Sequence, residues 1–192
     1  FLGLFGRLSL GAEIKNLRII DANITGTGDY IGGLAGRNEG INFSNCSSTG
    51  LVSGNWFVGG LLGFDGGSYI DSCFSSGFVK GLWEVGGLMG CAGYLQPGLI
   101  SNCYSTSTVI GAGSNIGGLI GQNNSYVTCC YSTGIVSGNN HVGGLIGSRS
   151  SSLTTLSFWD LQTSGQSTSA GGTGKTTAEM QTQSTFTNAG WD

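Results

Sequence analysis

The chain has 192 residues, a net charge of -3 and only 9% charged side chains, which disfavours a solvated disordered chain, a highly charged long helix and a nucleic-acid-binding surface. Its 38 glycines occur without a Gly-X-Y triplet and with a single proline, Pro97, so collagen is excluded. No run of 18 apolar residues is present, so no segment reads as a membrane-spanning helix. The sequence opens at Phe1 without an initiator Met or a signal-peptide pattern, which reads as a processed or excised piece of a larger precursor.

In chain order, Gly3-Leu4-Phe5-Gly6 is a partial first copy of Gly-Gly-Leu-x-Gly. Full copies begin at Gly32, Gly59, Gly86, Gly117 and Gly143, with spacings of 27, 27, 31 and 26 residues. Between copies, an aliphatic or aromatic residue stands three places before a cysteine: Phe43 and Cys46, Ile70 and Cys73, Ile100 and Cys103, Val127 and Cys130. Ile14 with Leu17 takes that place one coil earlier, and Leu153 with Leu156 one coil later. Then come Ile24, Val52, Val79, Val109 and Val136, each two places before a glycine, and the aliphatics Ile31, Val58, Val85, Ile116 and Val142 lead into the next copy.

Each unit therefore holds three short β-type stretches separated by Gly, Ser and Asn, with no sustained helical period. A single unit cannot bury its apolar face, so the pattern predicts an all-β parallel β-solenoid of five to six coils of 26–31 residues. Right-handed winding is expected from the frequency of that hand among parallel β-helices. Leu34, Leu61, Leu88, Leu119 and Leu145 are expected as one internal ladder, and Cys46, Cys73, Cys103 and Cys130 as another. The insertion from Cys91 to Gly98 is expected to bulge as a surface loop. Residues 1–160 form the array on this reading, and 161–192 a Ser/Thr/Gly-rich tail that caps it or serves assembly, with Phe158, Trp159, Phe186 and Trp191 as its anchors. Thr176 and Glu179 have capping-box spacing, which predicts a short helix over about 177–183.

The unit x-Cys-Tyr-Ser-Thr-Gly-x-Val-x-Gly followed by Val-Gly-Gly-Leu-x-Gly, clearest at Cys103–Thr106 and Cys130–Gly134, resembles the GLUG repeat. Phe158-Trp159-Asp160 resembles a common ending of such arrays. The resemblance covers residues 1 to about 160 and implies a secreted or cell-surface microbial protein: an adhesin-like scaffold, a fibre subunit, or the non-catalytic part of a surface peptidase. It carries over no catalytic residue.

Candidate sites are few. No catalytic, cofactor-binding or metal-ligating set is expected. Cys91 and Cys129 fall outside the cysteine ladder and are candidates for outward-facing thiols, Cys91 for a disulfide. Gly171–Thr176 lacks the first glycine of a phosphate loop, since Ser169 stands there. His141 reads as an exposed turn residue. Asp29, Asp65, Asp71, Glu84, Arg37 and Lys80 occupy different registers, against a polysaccharide-cleaving groove. Trp56 over Trp83 and Tyr30 over Phe57 are expected as stacked pairs, either filling corners or forming a strip that meets glycans or a protein. Phe74, Tyr104 and Tyr131 form a third ladder. Asn23, Asn42, Asn45 and Asn123 are sequon positions, with Asn45 also a candidate turn residue. Expected partners are surface proteins, glycans or further copies of the chain, assembled head-to-tail or laterally. The leading expectation is a non-catalytic extracellular scaffold; a carbohydrate-binding module is the alternative.

Overall fold

The computed structural model describes residues 1–9, 13–150 and 152–191. The chain winds as a parallel β-solenoid of about six turns, each strand pairing with its equivalent one coil away. The Val/Ile positions set the register: Val52, Val79, Val109 and Val136 pair in sequence across coils. Branched side chains suit a pleated wall, and burying them against the neighbouring coil is what a lone coil cannot do.

Each coil has four walls, where three stretches were expected from the sequence. Wall 1 holds Phe5–Leu8, Ala35–Asn38, Leu62–Asp65, Met89–Ala92, Ile120–Asn123 and Ile146–Arg149. Wall 2 holds Glu13–Lys15, Asn42–Ser44, Tyr69–Asp71, Leu99–Ser101, Tyr126–Thr128 and Thr154–Thr155. Wall 3 is longest, with Arg18–Thr25, Ser47–Ser53 and Phe74–Gly81 continuous and later coils broken in two. Wall 4 holds Ile31–Gly32, Trp56–Gly59, Trp83–Gly86, Ser114–Gly117 and Asn140–Gly143.

The missed wall lies inside the glycine motif, which is the junction of two strands and not one strand with its corners. Its first glycine ends wall 4, and the residue after leucine begins wall 1. A Cβ on the second glycine would meet wall 3: Gly60 faces Ser75, Gly87 faces Ser105 and Gly118 faces Ser132. The third glycine rests on wall 4 backbone, Gly90 against the Val58 nitrogen and the Glu84 oxygen. Glycine is required because backbone meets backbone with no room for a side chain.

This contact pinches the cross-section into two lobes. One core contains the leucine ladder, Phe43, Ile70, Ile100, Val127 and the four laddered cysteines. The other contains Ile31, Val58, Val85 and Ile116 packed against Val52, Val79, Val109 and Val136. Between them runs a buried serine rail, Ser48, Ser75, Ser105 and Ser132. Ser75 Oγ donates to the Gly87 carbonyl at 2.7 Å and Ser132 Oγ to the Gly144 carbonyl at 2.6 Å.

Corners are made by residues with positive φ. Asn16, Asn45, Ser72, Asn102, Cys129 and Leu156 form one left-handed ladder where wall 2 turns into wall 3. Asparagine tolerates that conformation, and Asn45 Nδ2 donates to Asn16 Oδ1 at 2.7 Å. Asn45 is thus the turn residue that its sequence position suggested.

Coil length varies away from the pinch. The offset between paired residues is 27 at Leu62 and Met89, 30 at Tyr69 and Leu99, and 31 at Val85 and Ile116. Three added residues thus lie in the loop 93–98 and one beyond Gly111. The loop is pinned, not free: Leu95 N–H donates to the Gly66 carbonyl at 3.0 Å and Gly98 N–H to Ser125 Oγ at 3.0 Å.

At the C-terminal end the alignment of Leu153 and Leu156 with the core positions is corrected by one residue. Val127 pairs with Thr154, so both leucines face solvent. Beyond it, Phe158–Asp160 continues wall 3 and pairs with Thr173–Lys175. Helix α1 (Leu161–Ser164) is capped by Asp160, whose Oδ1 accepts from Gln162 and Thr163 N–H. Helix α2 (Thr177–Met180) has the expected Thr176/Glu179 capping box, and the segment then breaks into α3 (Gln183–Thr187). Gly144 N–H donates to the Thr168 carbonyl at 3.0 Å and Ala170 N–H to the Ile146 carbonyl at 2.9 Å, so the tail bonds to the last glycine junction and to the start of wall 1. Trp159 stands at the next place on the serine rail, pairing with Ser132, and its indole lies against Gly144.

Candidate functional site

The four cysteines form a hydrogen-bonded column and do more than fill space. Cys73 Sγ donates to the Asp71 carbonyl at 3.2 Å and accepts the Cys46 N–H at 3.4 Å. Cys103 Sγ repeats this with the Ser101 carbonyl at 3.0 Å and the Cys73 N–H at 3.4 Å. Each thiol brackets a corner that the strand ladder leaves open. On the last coil Ser157 does the same, accepting from Cys130 N–H at 3.1 Å and donating to the Thr155 carbonyl at 2.7 Å. Burial pushes the Cys103 thiol far up, and the neighbouring Cys130 adds to it, so Cys103 stays protonated and unreactive. Cys103→Ser should therefore stay within about 1 kcal/mol of the parent. Cys103→Ala, which orphans the buried Cys73 N–H, should lose about 1–3 kcal/mol. Urea midpoints of the two variants check this, and equal losses would contradict the bracket.

The outward-facing expectation for Cys91 is corrected. Cys91 is fully buried with Phe57 and Phe64 in a third apolar cluster, and its thiol is free. It pairs with Phe64 on wall 1, and the aromatic residues of the preceding coils close over that register. Cys129 is half-buried at a left-handed corner, its Sγ 3.7 Å from Thr128 Oγ1.

This third cluster is the base of the aromatic surface read from the sequence. Tyr30 and Phe57 stack at 4.9 Å, and both have positive φ. Phe64 meets Phe57 edge-on at 5.6 Å, and the Arg37 guanidinium lies 4.8 Å over Phe64. Arg37 and Arg7 both bind Glu39, whose carboxyl is held below its ordinary range chiefly by the Arg7 hydrogen bond. Trp56 and Trp83 pair in register, but the Trp56 indole stacks on Phe57 at 5.5 Å and donates to Glu84. The Trp83 ring lies against Gly113 on the next coil. Phe57 is thus interior, while Trp56 and Trp83, 43% and 42% exposed, remain open to a ligand. Burial raises the Glu84 carboxyl pKa, opposed by its bonds to Trp56 and Asn115.

A second aromatic column runs up wall 3. Phe74, Tyr104 and Tyr131 stack at 4.9 Å with planes 3° apart. The tail completes it, with Trp191 against Tyr131 and Phe158, and Phe186 against both Phe158 and Trp191. A cavity of about 430 Å³ lies between Tyr131, Met180, Phe186 and Trp191.

The polar positions serve structure. Asp65 is fully buried and accepts from Asn38 Nδ2 at 2.7 Å, from Ser68 Oγ, and from the Gly67 and Ser68 N–H groups. Burial raises its pKa against these bonds. Asn123 is also fully buried, with its amide bonded to Ser125 and Ser152, so it is corrected from a glycosylation candidate to a turn-holding residue. Asn23, Asn42 and Asn45 are exposed. Asn42 Oδ1 accepts the Tyr69 N–H and Asn45 holds its corner, so Asn23 is the least engaged of the three. His141 is exposed at a left-handed corner, 2.9 Å from Ser114 Oγ. Lys175 sits over the Phe158 ring and beside Glu179, within a strand and not a phosphate-cradling loop. Among the described residues, no group of three or more His, Cys, Asp or Glu could hold a metal ion, and no helix is long and apolar enough to cross a membrane.

The family model described as the GLUG motif matches residues 27–53 and 81–110. Each matched segment is one coil, cut where wall 3 gives way to wall 4. No curated protein and no solved structure matches the chain.

Proposed function

The chain carries GLUG repeats, and from that premise we propose that it is a non-catalytic extracellular scaffold, an adhesive segment that works through its lateral faces. The observation that carries this reading is the division of labour among side chains. Buried polar groups such as Asp65, Asn38, Asn123 and the serine rail are spent on corners and the pinch, while large aromatic and aliphatic side chains stand exposed on the walls. The tail pairs with the last strand of wall 3 and bonds at Gly144 and Ile146, places on which a following copy would have to pair, which favours lateral contacts over head-to-tail stacking. Beads coated with the folded chain should be retained on cell layers under flow, and beads coated with heat-unfolded chain should not. Equal retention would overturn the adhesive reading.

A carbohydrate-binding module is the second reading, supported by the exposure of Trp56 and Trp83. A glycan array comparing the parent with Trp56→Ala/Trp83→Ala tests that pair, and unchanged binding removes it. A spacer in a larger surface peptidase is consistent with the same coil architecture.

A further inference from the structure

We infer that wall 2, not the tryptophan pair, carries a groove for an extended, uncharged β-linked polysaccharide chain. This rests on the reading of the chain as a module that acts through its lateral faces. Tyr69, Leu99 and Tyr126 pair in register on three successive coils, so the two tyrosines stand two rungs apart, about 10 Å along the axis. Tyr69 is 65% and Tyr126 54% exposed, while Leu99 between them is half-buried. One rung is close to the length of one sugar residue in an extended chain, so the tyrosine spacing matches a disaccharide repeat.

The loop 93–98 supplies the opposite side. A cavity of about 420 Å³ lies between the tyrosines, Gln96, Pro97 and Leu99. A second, of about 260 Å³, continues it past Asn124 and shares Pro97 and Tyr126. The two adjoin at Pro97 and Tyr126 on successive coils, a layout suited to a chain and not to a compact ligand. Among the described residues no charged side chain lines either part, and rings stand beside amide and hydroxyl groups. That mixture presents apolar faces to the C–H side of sugar rings and hydrogen-bonding groups to their hydroxyls. The loop is pre-set by its bonds to Gly66 and Ser125, so little ordering is required on binding.

The test is calorimetry of the whole chain with cellohexaose and with the β-linked hexamer of N-acetylglucosamine, with maltohexaose as the α-linked comparison. Binding of a β-linked hexamer is expected, weakened roughly tenfold or more in Tyr69→Ala/Tyr126→Ala. Both tyrosines are exposed, so the variant should keep the parent's melting temperature, and Trp56→Ala/Trp83→Ala should bind as the parent does. No binding of either β-linked hexamer, equal binding of maltohexaose, or loss only in the tryptophan variant would overturn the groove. Concentration-dependent dimers that disappear in the tyrosine variant would instead make this face a contact between copies, and would also overturn it. None of these outcomes bears on retention of coated beads, so the scaffold reading stands or falls separately.

Discussion

Gly87→Ala should destabilise the chain by about 4 kcal/mol or more, a large share of the stability of a single domain. The added methyl would overlap the Gly118 carbonyl oxygen and Ser105 Oγ. The first is backbone on the next coil and the second is fully buried on wall 3. Relief requires wall 3 to move off the pinch, which opens both apolar lobes at once. Gly28→Ala is the matched control, since a Cβ there meets nothing within 4 Å. It should leave stability unchanged or raise it by up to about 1 kcal/mol through a less flexible unfolded chain. Urea unfolding of the two variants decides, and a small loss for Gly87→Ala would mean that the glycine junction is not in contact with wall 3.

Trp159→Ala should cost about 3–5 kcal/mol, the range for emptying a large buried aromatic site. The tryptophan takes the rail position that serine fills on earlier coils, and its ring closes the space where another Gly-Gly corner would sit. Its Nε1–H donates to the Gln166 carbonyl at 3.0 Å, which ties the tail down. Truncation therefore removes a plug and a tether together and uncovers the end of the larger lobe. Thermal unfolding with light scattering should show a lower midpoint and earlier aggregation. Trp159→Phe should recover part of the loss by refilling the space without the hydrogen bond.

The sequence made the repeat and its ladders legible because equivalent residues recur at one spacing and parallel pairing turns spacing into contact. Glycine hid the rest. It marks a sharp turn and a close approach alike, so the motif's role as a pinch against wall 3 was not separable from a strand with corners. A signal was present: Cys-x-Ser recurs at Cys46, Cys73, Cys103 and Cys130, and the serine is the partner of the second glycine. Cys91 and Asn123 were misread as surface groups because their burial depends on residues of other coils and on the inserted loop. Leu153 and Leu156 misled because apolar character outweighed register, while Thr154 takes the strand position and Ser157 satisfies the corner by hydrogen bonding. Trp56 and Trp83 were rightly placed in register, but their rings turn to different neighbours. The wall 2 groove was illegible because its far side is a loop that no repeat position encodes.

The strand ladders carry a mechanical consequence. In a parallel solenoid the hydrogen bonds between coils point along the axis, and the two termini lie at opposite ends of this one. Tension between the termini would therefore open the ladders one after another, like a zip, and would not shear them together. A coil of 27 residues pulled straight releases roughly 90 Å of chain. Held by its ends, the molecule would yield in steps and lengthen several-fold before failing. Held by its walls, it would stay a short stiff rod.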